Sequence, residues 1–452
     1  MSSDELPTDW GRLRDPEHEA EHRRRAVEDP GAYHGDIAAS ELHWFDEDTG
    51  AWLRRDPESG SWSGFEADAG VPVAPDGRGE EWRPWGRAFD DRDAPFYRWF
   101  VGGRTNACFN ELDRWLLAGR GDEVALVFEG DRWDPSKNDG RGGPVVETRV
   151  TRRRLFLETV LRAEVLAGLG LERGDRVAFN LPNILEQIYY TEAAKRLGVI
   201  YTPVFGGFSA KTLSDRIYDA GATVVVTADG GYRNAEVVPY KERFTDEALD
   251  NFIPLPSALA ALEEVLAGED LPGSVVARLR DDVGAALAGE ITIERSDLMR
   301  ELGRSLAAGE GLDPTRTASV RTRVARRLAG VGHVVEQVVV VRYTGQEIVE
   351  QSRDLWSSDL VAEATGRVLE RAREAGFDVA DREDLLELDD TDLWRALNAS
   401  WPAVPVEADF PLFIIYTSGS TGKPKGVVHT HGGWLAGISH TMRMVFDAGP
   451  DD

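Results

Sequence analysis

Residues 416–426 read Tyr-Thr-Ser-Gly-Ser-Thr-Gly-Lys-Pro-Lys-Gly, a stretch made largely of groups that bind phosphate oxygens. Thr417, Ser418, Ser420 and Thr421 bring hydroxyls, Gly419 and Gly422 free the backbone amides, and Lys423 and Lys425 add ammoniums before Gly426 closes the run. A flexible Gly/Ser linker has similar composition. Lysine, however, occurs only at 137, 195, 211, 241, 423 and 425 of this arginine-rich chain, so two beside one glycine loop argue for a site. The spacing is not that of the Walker A loop, which needs four residues between its glycines and a hydroxyl residue after the lysine. Here Gly419 and Gly422 are too close and Pro424 follows Lys423. An apolar run, Phe410 to Tyr416, leads in as a buried strand, and an amphipathic run, Trp434 to Phe446, follows as a helix. Strand, loop and helix in that order build phosphate cradles.

A second constellation joins Val204-Phe-Gly-Gly-Phe-Ser209 to Tyr232-Arg233. Gly206 and Gly207 let a ligand approach the backbone, and Arg233, shortly after the next apolar run, can pair with phosphate. On spacing alone the glycines fit a plain tight turn equally well. His429 and His431 have no carboxylate or third ligand at metal-site spacing and read as structural, so no metal site is assigned. Asp113 and Arg114 read as a structural ion pair.

The elements that must position these groups are legible from about residue 120. Strand-like runs at Val124–Phe128, Arg176–Asn180, Val199–Phe205 and Thr223–Thr227 alternate with helical patterns. One helix carries Leu157, Val160, Leu161 and Val165 on one face, and others span Ile184–Leu197 and Ala210–Ala220. Such alternation implies an α/β fold with a parallel, doubly wound sheet. Residues 246–332 break the rhythm with helical runs opened by Ser257, Ser274 and Ser296. The sheet pattern returns at Val334–Val341, and an acidic helical stretch covers about 361–400. The expected organisation is a charged, solvated leader at 1–40, an irregular aromatic-pinned cap at 41–118, α/β segments at 119–245 and 333–452, and the helical insertion at 246–332.

Composition narrows the function classes. A chain of 452 residues with 42% hydrophobic and 29% charged residues is globular. Its net charge of −28 opposes nucleic acid and anionic membranes as partners. A local nucleotide site survives that field, because charges beyond about 8–10 Å are screened at physiological salt. Cys108 is the sole cysteine, which excludes disulfides and cysteine-based metal sites and fits a reducing cytoplasm. No run reaches the roughly 18 apolar residues of a membrane span, and the start has no basic segment leading into an apolar core.

The 416–426 string, with flanking Phe413-Ile-Ile-Tyr416 and Gly426-Val-Val-His-Thr-His-Gly-Gly433, resembles the phosphate-binding loop of the AMP-forming acyl-CoA synthetases of the adenylate-forming superfamily. The segment from Leu42 to Trp115 and Arg353-Asp-Leu-Trp356 resemble the acetyl- and propionyl-CoA synthetase branch. The helical insertion, with Ile291-Thr-Ile-Glu-Arg-Ser-Asp-Leu-Met299, is similar to the synthetase module of trifunctional propionyl-CoA synthases, which would place hydratase and reductase modules on the full-length chain. The resemblance implies ATP, Mg²⁺ and CoA as cofactors and a short-chain acid (3-hydroxypropionate, propionate or acetate) as substrate. It makes 417–426 the grip on the ATP phosphates, with Lys423 catalytic, and Phe205, Gly206, Gly207 and Arg233 the CoA nucleotide site. The family commonly has a second arginine three residues after the first, where this chain has Glu236. Only 26 residues follow Gly426, and the family's adenine-recognising, ribose-binding and C-terminal elements lie downstream, so an N-terminal portion without turnover of its own is expected. The competing readings are an adenylation domain that loads a carrier protein and a noncatalytic nucleotide-binding protein.

Overall fold

The computed structural model describes residues 15–74, 82–234, 236–269, 271–308, 314–417, 425–446 and 448. Its centre is a seven-stranded sheet. In chain order the strands are β1 (Arg176–Asn180), β2 (Ile200–Pro203), β3 (Val224–Ala228), β4 (Gln337–Val341), β5 (Asp354–Trp356), β6 (Pro411–Thr417) and β7 (Lys425–Thr430), and across the sheet they run β5-β4-β3-β1-β2-β6-β7. Every neighbouring pair is parallel except β6 with β7.

Side-chain alternation splits the sheet between two cores, as a two-residue period requires. Val177, Phe179, Val224, Val226, Val339 and Val341 point into a core shared with helices α1 (Arg152–Gly168) and α2 (Leu185–Leu197). Ala178, Val225, Val338 and Val340 point into the other, against α3 (Ala210–Ala220). Local signals set the helix ends. The Thr151 hydroxyl accepts from the Arg154 amide to open α1, and the Ser209 hydroxyl accepts from the Thr212 amide to open α3. Gly198 and Gly221 close α2 and α3 with φ of 71° and 65°, the left-handed region where glycine pays no Cβ penalty.

The insertion is a separate helical unit. Helices α4 (Leu255–Ala267), α5 (Gly273–Ala286), α6 (Arg295–Ala308) and α7 (Pro314–Leu328) enclose their own core, which includes Leu262, Leu279, Val283, Leu298, Leu302, Val320 and Val324. Its root is an antiparallel pair, Phe252–Pro254 with Thr292–Glu294. The root is tied to α3, since the Thr292 amide donates to the Asp215 carboxylate at 2.9 Å and Lys211 bridges to Glu290 at 2.9 Å. The acidic stretch after β5 contributes α8 (Ser357–Glu374), which packs on α1 in the first core.

Four expectations change. Residues 16–41, read as part of a solvated leader, form two helices, Pro16–Glu28 and Pro30–Glu41, whose residues Tyr33, Ile37, Ala38 and Ala39 are buried; residues 1–14 lie outside the described residues. The aromatic segment after Leu42 is a regular antiparallel sheet. Strands Trp44–Asp46, Ala51–Arg55 and Trp62–Glu66 pair in series, with Trp44 and Trp62 fully buried. Val124–Glu129 is a strand, yet it pairs antiparallel with Glu147–Thr151 outside the central sheet. Asp113 pairs with Arg196, at 2.7 and 3.1 Å, rather than with Arg114, whose guanidinium donates to the Glu41 carbonyl at 2.5 Å. Both members of the Arg196–Asp113 pair are fully buried, and the Trp394 indole also donates to Asp113 at 2.9 Å. The pair locks the cap, α2 and the segment around 394 together.

Removing one partner of a buried ion pair strands the other charge and costs about 3–5 kcal/mol, whereas exposed pairs contribute about 0–1 kcal/mol. Arg196→Met is therefore expected to lower the urea midpoint strongly, and Arg300→Met, which breaks the exposed Arg300–Asp297 bridge, to leave it nearly unchanged. Equal shifts for the two would refute the structural weight given to the buried pair. The fully buried His431 imidazole is pushed by desolvation down to about 3 from 6.5. The unfolded chain therefore binds more protons between these values, and stability falls as acid is added through that window, by up to about 1.4 kcal/mol per pH unit. His431→Asn, which keeps an acceptor for the Ala107 amide, should flatten the loss in stability between pH 6.5 and 5, as read by urea unfolding at several pH values.

Candidate functional site

The order of connections opens a crevice at the carboxyl edge of the sheet. The chain leaves β1 for α2 on one face and β2 for α3 on the other, so the loops after these adjacent strands diverge. The loop after β2 is Val204-Phe-Gly-Gly-Phe-Ser209. Parallel to β2, β6 delivers Thr417 to the same edge.

In sequence the phosphate-suited stretch lies between the paired strands β6 and β7. Thr417 faces Lys425 and Tyr416 faces Gly426 across that pair. Ser418, Gly419, Ser420, Thr421, Gly422 and Lys423 lie outside the described residues. A strand, rather than a helix, follows the stretch, and α9 (His431–Met444) comes only after it. The β-branched Val427 and Val428 favour extension, and pairing with β6 supplies backbone bonds to the strand. A Cβ on Gly426 would lie 3.1 Å from the Ile414 side chain and 3.3 Å from the Tyr416 ring, so glycine lets that ring cross the hairpin.

Tyr416 is held in place. Its hydroxyl donates to Asp219 at 2.7 Å, and burial together with Asp219 pushes the phenol well above its ordinary range. The Arg216 guanidinium lies 5.5 Å from the Tyr416 ring and 4.0 Å from that of Phe208. One cation thereby connects the strand before the phosphate-suited stretch to the Phe-Gly-Gly-Phe loop.

A cavity of about 480 Å³ opens beside that loop. Gly206, Gly207 and Arg233 line it, as do Ser209, Tyr240 and Arg243. Phe205 does not: it is 65% exposed and meets Phe208 edge-on at 6.0 Å. A Cβ on Gly206 would sit 2.0 Å from the Tyr240 hydroxyl, so any side chain there would displace the tyrosine. Arg233 ends one strand of the Gly231–Arg233 and Glu236–Val238 hairpin, directly opposite Glu236.

Neither histidine of the 429–431 segment is placed for catalysis. His429 stacks on Phe413 at 4.5 Å, and the buried His431 accepts from the Ala107 amide at 3.1 Å. No group of three His, Cys, Asp or Glu side chains among the described residues could hold a metal ion. Tyr240, Arg243 and Arg216 were not singled out from the sequence. Their roles depend on chain segments folding back onto the edge, which no local pattern reports.

The family model of the AMP-binding enzymes matches residues 115–291 and 325–452, and that of the acetyl-coenzyme A synthetase N-terminus matches residues 81–110. The gap at 292–324 falls inside the helical unit. An acetyl-coenzyme A synthetase of Burkholderia mallei (strain SAVP1) is 32% identical over 374 residues, covering 82% of this chain and 38% of that protein. One of Burkholderia thailandensis is also 32% identical over 374 residues, with the same coverage. The chain thus spans 38% of the length of the curated relatives it matches. With some two-thirds of its length inside one family model, this chain belongs to the AMP-binding enzyme family.

Proposed function

We propose that the chain is the ATP-binding part of an AMP-forming acid–thiol ligase that converts 3-hydroxypropionate, propionate or acetate to its CoA thioester. The observation that carries this reading is convergence. Arg216 lies against Phe208 of the glycine loop after β2 and against Tyr416 of the strand that leads into the phosphate-suited stretch, in a chain of the AMP-binding enzyme family.

In the first step a carboxylate oxygen attacks the α-phosphorus of ATP, the α–β anhydride bond breaks, and pyrophosphate leaves with an acyl-adenylate remaining. In the second the CoA sulfur attacks the acyl carbon, loses its proton, and displaces AMP. The first step asks the protein chiefly for positioning and charge neutralisation. The hydroxyls and ammoniums of 417–426, with Lys423 foremost, would bind the β- and γ-phosphates. Gly206, Gly207 and Arg233 would receive the CoA nucleotide, and Phe205 would stand at its rim. Residues 417–426 offer hydroxyls and amines and no carboxylate, which would fit Mg²⁺ carried on the phosphate oxygens with its own waters rather than held by a protein cage. When bound, Mg²⁺ supplies neutralisation of the triphosphate charge.

The wider reading follows the same resemblance: an incomplete adenylate-forming N-terminal domain with a doubly wound sheet, working in the cytoplasm. The four-helix insertion supports a synthetase module of the trifunctional propionyl-CoA synthase kind, in which hydratase and reductase modules follow. The match at 81–110 to the acetyl-coenzyme A synthetase N-terminus favours CoA over a carrier protein as acceptor.

Hydrogen bonds to charged groups contribute roughly 1.5–3 kcal/mol, and 1.4 kcal/mol is tenfold in rate. In the full-length gene product Lys423→Ala is expected to slow acid-dependent ATP–pyrophosphate exchange on the order of tens- to hundredfold. A change below about threefold would count against the stretch as the phosphate grip, and no exchange by the unsubstituted protein with any of the three acids would overturn the ligase reading.

A further inference from the structure

The aromatic cap holds a cavity of about 320 Å³ that shares no lining residue with the one at the sheet edge. Two cap strands supply Arg54, Ser63 and Phe65 to it, the helical turn Arg114–Leu117 supplies Arg114 and Trp115, and His43 enters just before the first cap strand. Register accounts for the grouping. Arg54 lies opposite Ser63 and Trp52 opposite Phe65, so the two-residue alternation puts these side chains on one face of the sheet.

The polar groups of this cavity lack the partners that their position calls for. His43 is only 8% exposed and its ring stacks on Phe65 at 5.8 Å, yet neither ring nitrogen is hydrogen-bonded among the described residues. The Ser63 hydroxyl likewise has no partner among them. Arg54 donates only to the Ser40 carbonyl at 3.2 Å and Arg114 only to the Glu41 carbonyl at 2.5 Å, and among the described residues neither forms an ion pair. Burial pushes the Arg114 guanidinium down to about 10 with Arg54 adding to the effect, and burial, then Arg114 and Arg54, holds the His43 imidazole well below 6.5. The two cations therefore press on each other. Glu41 and Glu111, which offset Arg114 from a distance, are bound to Arg443 and Lys195, and among the described residues no carboxylate lines the cavity.

A buried donor or acceptor left unmade costs about 1–3 kcal/mol, and in native structures such groups generally meet an ion or a water. A tetrahedral oxyanion answers the whole set. Its oxygens can take a fork from each guanidinium and the proton of Ser63, while the neutral imidazole can accept the last proton of a phosphate, whose second pKa is about 6. A planar carboxylate has two oxygens in one plane and leaves part of the set unmet.

We propose that the cap carries a binding site for a phosphate group, either inorganic phosphate or a small phosphate monoester, gripped by Arg54 and Arg114 and completed by Ser63 and His43. The ligand neutralises two like charges and so ties the strand Ala51–Arg55 to the turn that carries Arg114. The site is independent of the acid activation proposed above.

The test is equilibrium dialysis of radiolabelled inorganic phosphate against the full-length gene product carrying Lys423→Ala, which weakens the proposed ATP phosphate grip, with and without Arg54→Gln. Arg54 is exposed on its strand, so this substitution should leave the urea midpoint in phosphate-free buffer nearly unchanged. A charged hydrogen bond of roughly 1.5–3 kcal/mol corresponds to about ten- to hundredfold in affinity. Arg54→Gln should weaken one phosphate-binding event by that factor and Arg54→Lys by less, and Ser63→Ala, which removes a single hydroxyl, should weaken it on the order of tenfold. Competition by glycerol 3-phosphate for the Arg54-sensitive event makes a monoester the occupant and its failure makes the free ion the occupant; both outcomes agree with the site. Stronger competition by succinate than by phosphate overturns the phosphate assignment. Phosphate affinity that changes by less than roughly twofold in both Arg54→Gln and Ser63→Ala overturns the site itself.

Discussion

Adjacent parallel strands whose chains depart to opposite faces must leave a gap between their outgoing loops, and that constraint organises this molecule. It follows from the right-handedness of crossovers: stepping from β1 to β2 one way and from β2 to β3 the other puts α2 and α3 on opposite sides. The gap lies at the carboxyl ends of β1 and β2. Chemistry-bearing residues need no cooperation from distant secondary structure to gather there, only loops of suitable composition after the right strands. The Phe-Gly-Gly-Phe loop after β2 is such a loop, and β6 brings Thr417 to the same edge.

Electrostatics then decides which groups at the edge remain available to a ligand. The chain is strongly acidic, so cations near the edge would ordinarily be quenched by neighbouring carboxylates. Here several carboxylates around the edge are committed elsewhere. Asp219 accepts from Tyr416. Asp229, fully buried after β3, accepts from the amides of Tyr343, Thr344 and Gly345 at 2.9, 2.9 and 2.7 Å. Asp246 and Asp354 are taken up by the buried Lys241. Arg216 rests between aromatic rings rather than on a carboxylate. The field of the whole chain repels polyanions, while Arg233 and Arg243 both line the cavity at this edge.

The sheet was largely legible because its strands are short apolar runs bounded by turn residues, and its helices carry clear apolar faces and caps. What escaped was partnership. Val124–Glu129 has strand composition, but hydrophobic pattern reports local conformation and not which strand lies alongside, so its antiparallel partner at 147–151 was invisible. The strand Lys425–Thr430 was hidden by the expectation of a helix after a phosphate loop, and α7 by its thin stripe of Val320, Val324 and Leu328 among arginines. In the Trp-rich cap, turns every few residues masked the two-residue alternation. Of the candidate site, the loop residues were read from composition, whereas Tyr240 and Arg243 reach the cavity only through tertiary folding.

The helical unit shows how an α/β edge can carry some eighty residues without losing its geometry. Its apolar residues face one another, so the unit asks little burial of the sheet, and closing a longer loop adds only about 0.6 kcal/mol per doubling of length. Its ends are brought together by the Phe252–Pro254 and Thr292–Glu294 pair, which leaves the host fold to accommodate a narrow root. That root is fastened through Asp215 and Lys211 on α3, the helix that begins at Ser209 on the cavity wall. The turn that precedes the insertion is the one locked by Lys241, and it carries Arg243. The same buried charges therefore hold both the point where the helical unit departs and the turn that carries Arg243.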